Sequence, residues 1–189
     1  LFEEIKKKKL ILNFGTLIGH ATLRRDIVGD EFRSLNEKEI GQMKHLLETA
    51  LGQGALGFST ALGYSHAKMA PDEEIFELVS VLKPEKFYSA HLRNEKEQLY
   101  ESVVEAIEIA QRAKVSIEIS HFKVVGKNNW PLIDKCLEEI EKAAENLDIN
   151  FDIYPYGSTA TVLYTLLPDW AAVGGRAQLV ENLRNDDFK

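Results

Sequence analysis

The chain has 189 residues, 44% of them hydrophobic and 28% charged, the proportions of an ordinary globular protein of about one domain. Its 23 basic and 30 acidic side chains leave a formal net charge of −7, which removes the electrostatic footprint of a nucleic-acid binder and disfavours an anionic membrane surface. The one cysteine, Cys136, permits no internal disulfide, and no apolar stretch approaches the roughly 18 to 20 residues of a membrane helix, so a cytoplasmic setting is expected.

Short apolar runs then alternate with longer helical patterns. Leu10 to Phe14 reads as a first strand and leads into the glycine-punctuated stretch Gly15 to His20. In the next helix Ser34 and Glu37 can form a capping box, and Ile40, Met43, Leu46, Leu47 and Ala50 supply an apolar stripe that ends at Gly52 and Gly54. Ala55 to Ser59 reads as a buried strand, and Pro71 opens a helix whose acidic first turn suits the helix dipole. Phe87 to His91 is strand-like and precedes a helix over 95–113, with Leu99, Val103, Ala106, Ile107 and Ala110 on one face. Val115 to His121 alternates and is rich in β-branched residues, as a strand should be. A helix over 130–146 and a strand over 149–154 complete the series.

No hairpin signal separates these five strands, so the expected fold is α/β, a partial TIM-like (β/α) barrel of about five parallel strands. Residues 1–156 form its central part. After Tyr156 the pattern changes, and 157–189 reads as an insertion-like or lid-like segment that includes Leu167 to Trp170, Gly174, Gly175 and a helix to about Arg184. A complete eight-stranded barrel takes about 250 residues. Together with a start at Leu1 and a stop at Lys189 inside a helix-like stretch, this suggests a central piece of a longer chain. Its open strand edges should either self-associate or be covered by the 157–189 segment.

Five histidines occur, and two hold an unusual position. His91 and His121 close successive strands 121 − 91 = 30 residues apart, the length of one βαβ unit, so both belong to the carboxyl ends of neighbouring strands. Imidazoles leaning together there could share a metal ion, or each could simply hydrogen-bond to backbone; both readings stand on geometry alone. Two ligands are fewer than the three of a catalytic zinc site. His20 reads as a structural hydrogen-bonding residue, His45 and His66 as solvated, and Cys136 as a small buried helix residue.

Several stretches also occur in a recognisable order. They are Gly19-His20 with Thr22-Leu-Arg24, Gly54-Ala-Leu-Gly-Phe-Ser-Thr60, Ser89-Ala-His-Leu-Arg-Asn-Glu95, Ile119-Ser-His-Phe-Lys123, Tyr154-Pro-Tyr156, and Leu167-Pro-Asp-Trp170 with Gly174-Gly175. This ordered set resembles the middle of an N-acyl-D-amino-acid deacylase (D-aminoacylase), of the amidohydrolase superfamily.

The resemblance implies a metal-dependent hydrolase barrel in which His91 and His121 are zinc ligands and Lys123 and Tyr154 hold the substrate. Two residues past His121, Lys123 should face the same side, although a solvated loop lysine would look the same in sequence. Arg93 and Tyr64 are further substrate-binding candidates; for Arg93 an ion pair with Glu95 or Glu97 is an equal explanation. The implied reaction hydrolyses the linear amide of an N-acyl-D-amino acid, a small-molecule substrate, to a carboxylate and a free D-amino acid. Neither the early His-x-His pair, nor the bridging cysteine, nor the final-strand aspartate base of that family is identifiable here, so the isolated chain should be inactive. Other expectations are a dihydroorotase- or hydantoinase-like cyclic amide hydrolase and a non-catalytic domain with an empty site.

Overall fold

Five short strands lie side by side in the order in which the chain makes them, all parallel: β1 (Leu17–Gly19), β2 (Gly57–Ala61), β3 (Phe87–His91), β4 (Ser116–Ile119) and β5 (Ile149–Phe151). The computed structural model describes residues 2–8, 10–29, 31, 33–167, 171 and 175–185. Parallel neighbours need long crossovers. Here α2 (His20–Val28) and α3 (Glu37–Gly52) join β1 to β2; a short α4 (Ser65–Lys68) and α5 (Asp72–Val79) join β2 to β3. Helix α6 (Leu99–Ala113) joins β3 to β4, and α7 (Leu132–Ala144) joins β4 to β5. A short α1 (Phe2–Lys6) precedes the sheet, and α8 (Gly175–Arg184) follows it. This sequential parallel order is that of a partial β/α barrel.

Alternation along the strands sorts the two faces. In one layer of the register, Phe58, Tyr88, Ile117 and Ile149 stand side by side and pack beneath the helices. They meet Met43 and Leu47 of α3, Ile75 and Leu78 of α5, Leu99 and Val103 of α6, and Cys136 and Ile140 of α7 in one apolar core. Burial of each large side chain there contributes about 1.5–3 kcal/mol. The adjacent layer, Gly19, Ser59, Ser89, Glu118 and Asn150, lies on the opposite face and is small or polar.

The helical stripe of α6 is buried at every position that the pattern predicts, and Lys114 closes the helix in the left-handed conformation at φ 58°. The structure differs elsewhere. Leu10, Ile11, Leu12 and Phe14 are exposed, and the first strand lies at Leu17–Gly19, because its partner β2 begins at Gly57 and pairs it with Leu17. An apolar run specifies extended backbone but not where a neighbour can be found. The α3 capping box is Asn36 with Glu39, not Ser34 with Glu37: Glu39 N donates to Asn36 Oδ1 at 3.0 Å and Asn36 N to Glu39 Oε2 at 2.9 Å. Both spacings fit the motif, and the chain uses the one that starts closer to the first buried turn. The glycine-punctuated stretch Gly15 to His20 holds β1, and helix α2 follows it over residues for which no element is predicted. The Leu167 to Trp170 motif, Leu167 excepted, and Gly174 lie outside the described residues, whereas the helix ending at Arg184 is present.

Candidate metal and substrate site

Strand β3 ends on His91, opposite Ala61 of β2. Strand β4 ends at Ile119, two residues before His121, which sits in a turn with φ 41°. That is a correction to the strand predicted over 115–121. The physical reason is a contact with the chain just past β5: Phe122 N donates to Asp152 O at 2.7 Å and Asp152 N to Ile119 O at 3.1 Å, while His121 N donates to Asp152 Oδ1 at 2.7 Å. A non-glycine residue held at positive φ carries strain that its surroundings must impose, and Asp152 supplies the anchor. The turn swings the His121 ring toward β3.

His91 Nδ1 and His121 Nε2 consequently face each other at 2.8 Å, with ring centroids 4.5 Å apart and the planes at 81°. One pleat deeper, Ser89 Oγ and Ser120 Oγ hydrogen-bond at 2.9 Å and brace the same two strands. Gly63, just beyond β2, leaves the other edge of His91 free, since a Cβ there would stand 3.1 Å from Nε2. Burial pushes the His91 imidazole down to about 4; nearby Glu95 opposes this, while His121 and Lys123 add to it. The ring is therefore neutral at physiological pH, the form in which histidine binds a metal.

A third ligand-type group reaches this place from the loop after β3. One donor atom each from His91, Glu95 and His121 lies within 4.8 Å of the others. Glu95 Oε1 is 3.2 Å from His121 Nδ1 and also accepts from Lys123 Nζ, which in turn lies 2.9 Å from His121 Nδ1. Val125 N donates to Glu95 O at 2.7 Å, tying the loops after β3 and β4 together. Two nitrogen donors with a neighbouring carboxylate suit a borderline metal such as zinc. Sequence reasoning saw Glu95 only as a partner for Arg93; its position four residues past a strand-end histidine was the available signal.

These groups line a cavity of about 640 Å³ at the carboxyl ends of the strands. Lys123 and Tyr154 both face it, with the ammonium 5.9 Å from the Tyr154 ring centroid, within cation–π range. The Tyr64 ring stands 5.0 Å from that of His91 and 6.4 Å from that of Tyr164. Ser158 to Thr161, Thr165 and Leu166 complete the wall. Arg93 also lines the cavity, but its guanidinium is engaged by Glu105 of α6 at 2.5–3.1 Å, by Lys68 O at 2.8 Å and by Asp72 at 3.4 Å. Its ion-pair partner is thus neither Glu95 nor Glu97. His20 is fully buried with Nε2 2.8 Å from Glu74, His45 is exposed on α3, and His66 falls on α4. Burial raises the Cys136 thiol to about 11, as expected of an inert core cysteine.

No protein-family model matches the chain. It is 35% identical over 153 residues to the D-aminoacylase of Alcaligenes xylosoxydans xylosoxydans, covering 80% of this chain and 32% of that protein. From the same organism, N-acyl-D-glutamate deacylase is 31% identical over 164 residues, covering 86% of this chain and 34% of the relative. The chain thus spans about a third of the length of the curated relatives it matches. Among solved structures, that of a D-aminoacylase described as defining a novel subset of amidohydrolases superposes with a TM-score of 0.74 at 36% identity, covering 77% of this chain and 31% of the other. The N-acyl-D-glutamate deacylase of Bordetella bronchiseptica, solved with zinc and a phosphonate mimic of the tetrahedral intermediate, superposes at 0.79 with 30% identity, covering 82% and 33%. The resemblance read in the sequence is thus matched by homologues and by structures.

Proposed function

We propose that this chain supplies part of the active site of a zinc-dependent hydrolase that cleaves the amide bond of N-acyl-D-amino acids to a carboxylate and a free D-amino acid. One observation carries the reading: two imidazoles at the ends of successive parallel strands face each other in a cavity, in a chain similar to deacylases over four-fifths of its length. His91 and His121 hold the ion. A zinc ion there would make water acidic enough to act as a nucleophile near neutral pH and would polarise the acyl carbonyl.

The chain's own residues orient the substrate. Lys123 is the cation that faces the cavity beside the imidazoles, suited to a substrate carboxylate or to the reacting amide. Tyr154 and Tyr64 form walls on either side. Arg93 supports the site from behind through Glu105 rather than by touching substrate. The proton-transfer carboxylate that the resemblance implies is assigned to no residue of this chain. The segment 157–189 acts as a lid-like insertion whose first part closes the cavity wall. A cytoplasmic enzyme fits the single reduced, buried cysteine, and no helix of the described residues is long and apolar enough to cross a membrane.

The test has two arms, both on the full-length gene product. In the first, zinc binding is titrated against a chromophoric chelator; His91→Ala and His121→Ala should each abolish high-affinity binding, and unchanged binding sinks the metal assignment. In the second, N-acyl-D-amino acids, their L-enantiomers and cyclic amides are offered as substrates. Ring opening without D-amide cleavage would replace the deacylase reading with a hydantoinase-like one.

A further inference from the structure

We propose that Asp152 is the positioning residue of this metal site: its side chain sustains a bulge at the end of β4 that turns His121 from the helix face of the sheet into the cavity. The inference rests on the zinc reading above. Its basis is a break in the alternation of side chains. Ile117 and Ile119 belong to the apolar core beneath the helices, and with an unbroken period of two His121 would follow them there. His91 needs no such correction, since it follows Ser89 on the opposite face. Yet His121 lines the cavity and meets His91 at 2.8 Å. One extra residue makes the difference. Ser120 N donates to Ala90 O of β3 at 3.0 Å, and then two successive residues oppose one: His121 N donates to Asp152 Oδ1 and Phe122 N to Asp152 O, each at 2.7 Å. This is the pattern of a β-bulge, in which the added residue takes an unusual backbone conformation, here φ 41°, and a side chain is re-aimed.

The acceptors of these three N–H groups differ in kind. Ala90 O and Asp152 O are backbone atoms and stay in place whatever side chain their residues carry. His121 N–H, the donor that the bulge leaves over, depends on the Asp152 side chain alone. Without that acceptor the donor loses its partner, and the strain of a positive φ is no longer held. Asp152 does not line the cavity, so it acts through His121 and not on substrate. Lys123 comes two residues after His121, with its ammonium 2.9 Å from His121 Nδ1, so the bulge places the ligand and the cation together. Tyr154, two residues past Asp152, does line the cavity. One stretch of chain beyond β5 thus aims the ligand with one side chain and walls the cavity with another.

The experiment joins zinc affinity of the full-length gene product, by chelator competition, with amide hydrogen exchange of the zinc-free protein read by NMR. In Asp152→Ala the His121 amide should lose protection while those of Ser120 and Phe122 keep it, and zinc binding should weaken by about 10–100-fold. Asp152→Asn keeps an oxygen that accepts the same N–H, so protection should return and affinity should lie within about threefold of wild type. Equal losses of affinity in the two variants would mean that the charge matters and not the acceptor, and would overturn the proposal. So would unchanged zinc affinity in Asp152→Ala, or a His121 amide that stays protected there. Loss of protection at Ser120 and Phe122 as well would make Asp152 a general support of the strand end, which also refutes a specific role toward His121. Zinc binding by wild type that His91→Ala and His121→Ala abolish keeps the metal reading intact in all these cases; its absence from wild type refutes both readings together.

Discussion

Two clusters of the same make-up occur in this chain, each a histidine, a basic side chain and a glutamate. His20, Arg24 and Glu74 lie between α2 and α5 on the helix side of the sheet, with side chains 0%, 1% and 1% exposed. His121, Lys123 and Glu95 lie at the carboxyl ends of the strands, 32%, 18% and 16% exposed, and open into the cavity. In the buried cluster Arg24 Nη1 donates to both Glu74 oxygens, at 2.6 and 2.8 Å, its Nη2 donates to Arg33 O, and His20 Nε2 reaches Glu74 at 2.8 Å. Both Glu74 oxygens are used, whereas His20 Nδ1 and Arg24 Nε are buried without a hydrogen-bond partner. In the open cluster an ammonium replaces the guanidinium, and a second histidine stands within reach. The same residue types make a structural clamp where solvent is excluded and a ligand site where a cavity meets them.

The largest expected effect tests the clamp. Glu74→Ala leaves Arg24 and His20 buried without their anion, which should cost about 3–5 kcal/mol and lower the urea midpoint accordingly. Glu95→Ala removes a carboxylate of the open cluster and should cost less than about 1 kcal/mol in the same measurement, while it weakens zinc binding. Comparable destabilisation by the two would erase the distinction between clamp and site.

Exchanging the cations comes next. Arg24→Lys loses the paired contact with Glu74 and the bond to Arg33 O, a loss of about 1.5–3 kcal/mol. Lys123→Arg should change stability by less than about 1 kcal/mol. Denaturant melts of both variants check the difference.

Acid titration gives the third contrast. Burial would raise the Glu74 carboxyl, but the hydrogen bonds from His20 and Arg24 outweigh it and the net direction is down from 4.5. A folded pKa below the unfolded one stabilises at higher pH, so this contribution is full above about 4.5 and declines as pH falls toward the folded value. Burial raises Glu105 despite Arg93, which acts in the opposite sense. The difference between wild type and Glu74→Gln in pH-dependent melts isolates Glu74: the gap between them should narrow on acidification, and a gap that widens contradicts the assignment.

The smallest effect concerns Arg93. Its engagement with Glu105, Lys68 O and Asp72 makes it a brace between the β3 loop, α4 and α6. Arg93→Ala should lower stability by about 1–2 kcal/mol and leave zinc affinity within about twofold. A larger change in zinc binding than in stability would return Arg93 to the site itself.

Periodicity was informative wherever a residue's role depends on its own element. The β3 boundaries, the α6 stripe and the pairing of His91 with His121 all follow from local pattern plus the length of one βαβ unit. Other features depend on contacts between distant positions. Glu95 meets Lys123 across 28 residues, and His20 meets Glu74 across 54. Asp152 holds the His121 turn from 31 residues away. Neither spacing nor propensity encodes such meetings. Glu74 illustrates the limit: in sequence it is one of three acids suited to a helix start, and in the fold it is the buried anion of the clamp.

The sequence by itself therefore determined the alternation of strands and helices, the parallel order that follows from it, and the placing of two histidines at neighbouring strand ends; its ordered motifs pointed to the deacylases. Only the tertiary structure decided which of two similar His, cation and carboxylate groupings is open, that Glu95 stands beside His121, and that Arg93 pairs with Glu105. Hydrophobic period and turn chemistry are properties of neighbouring residues, whereas exposure, pKa and metal-ligand geometry arise from whatever the fold brings within a few ångströms.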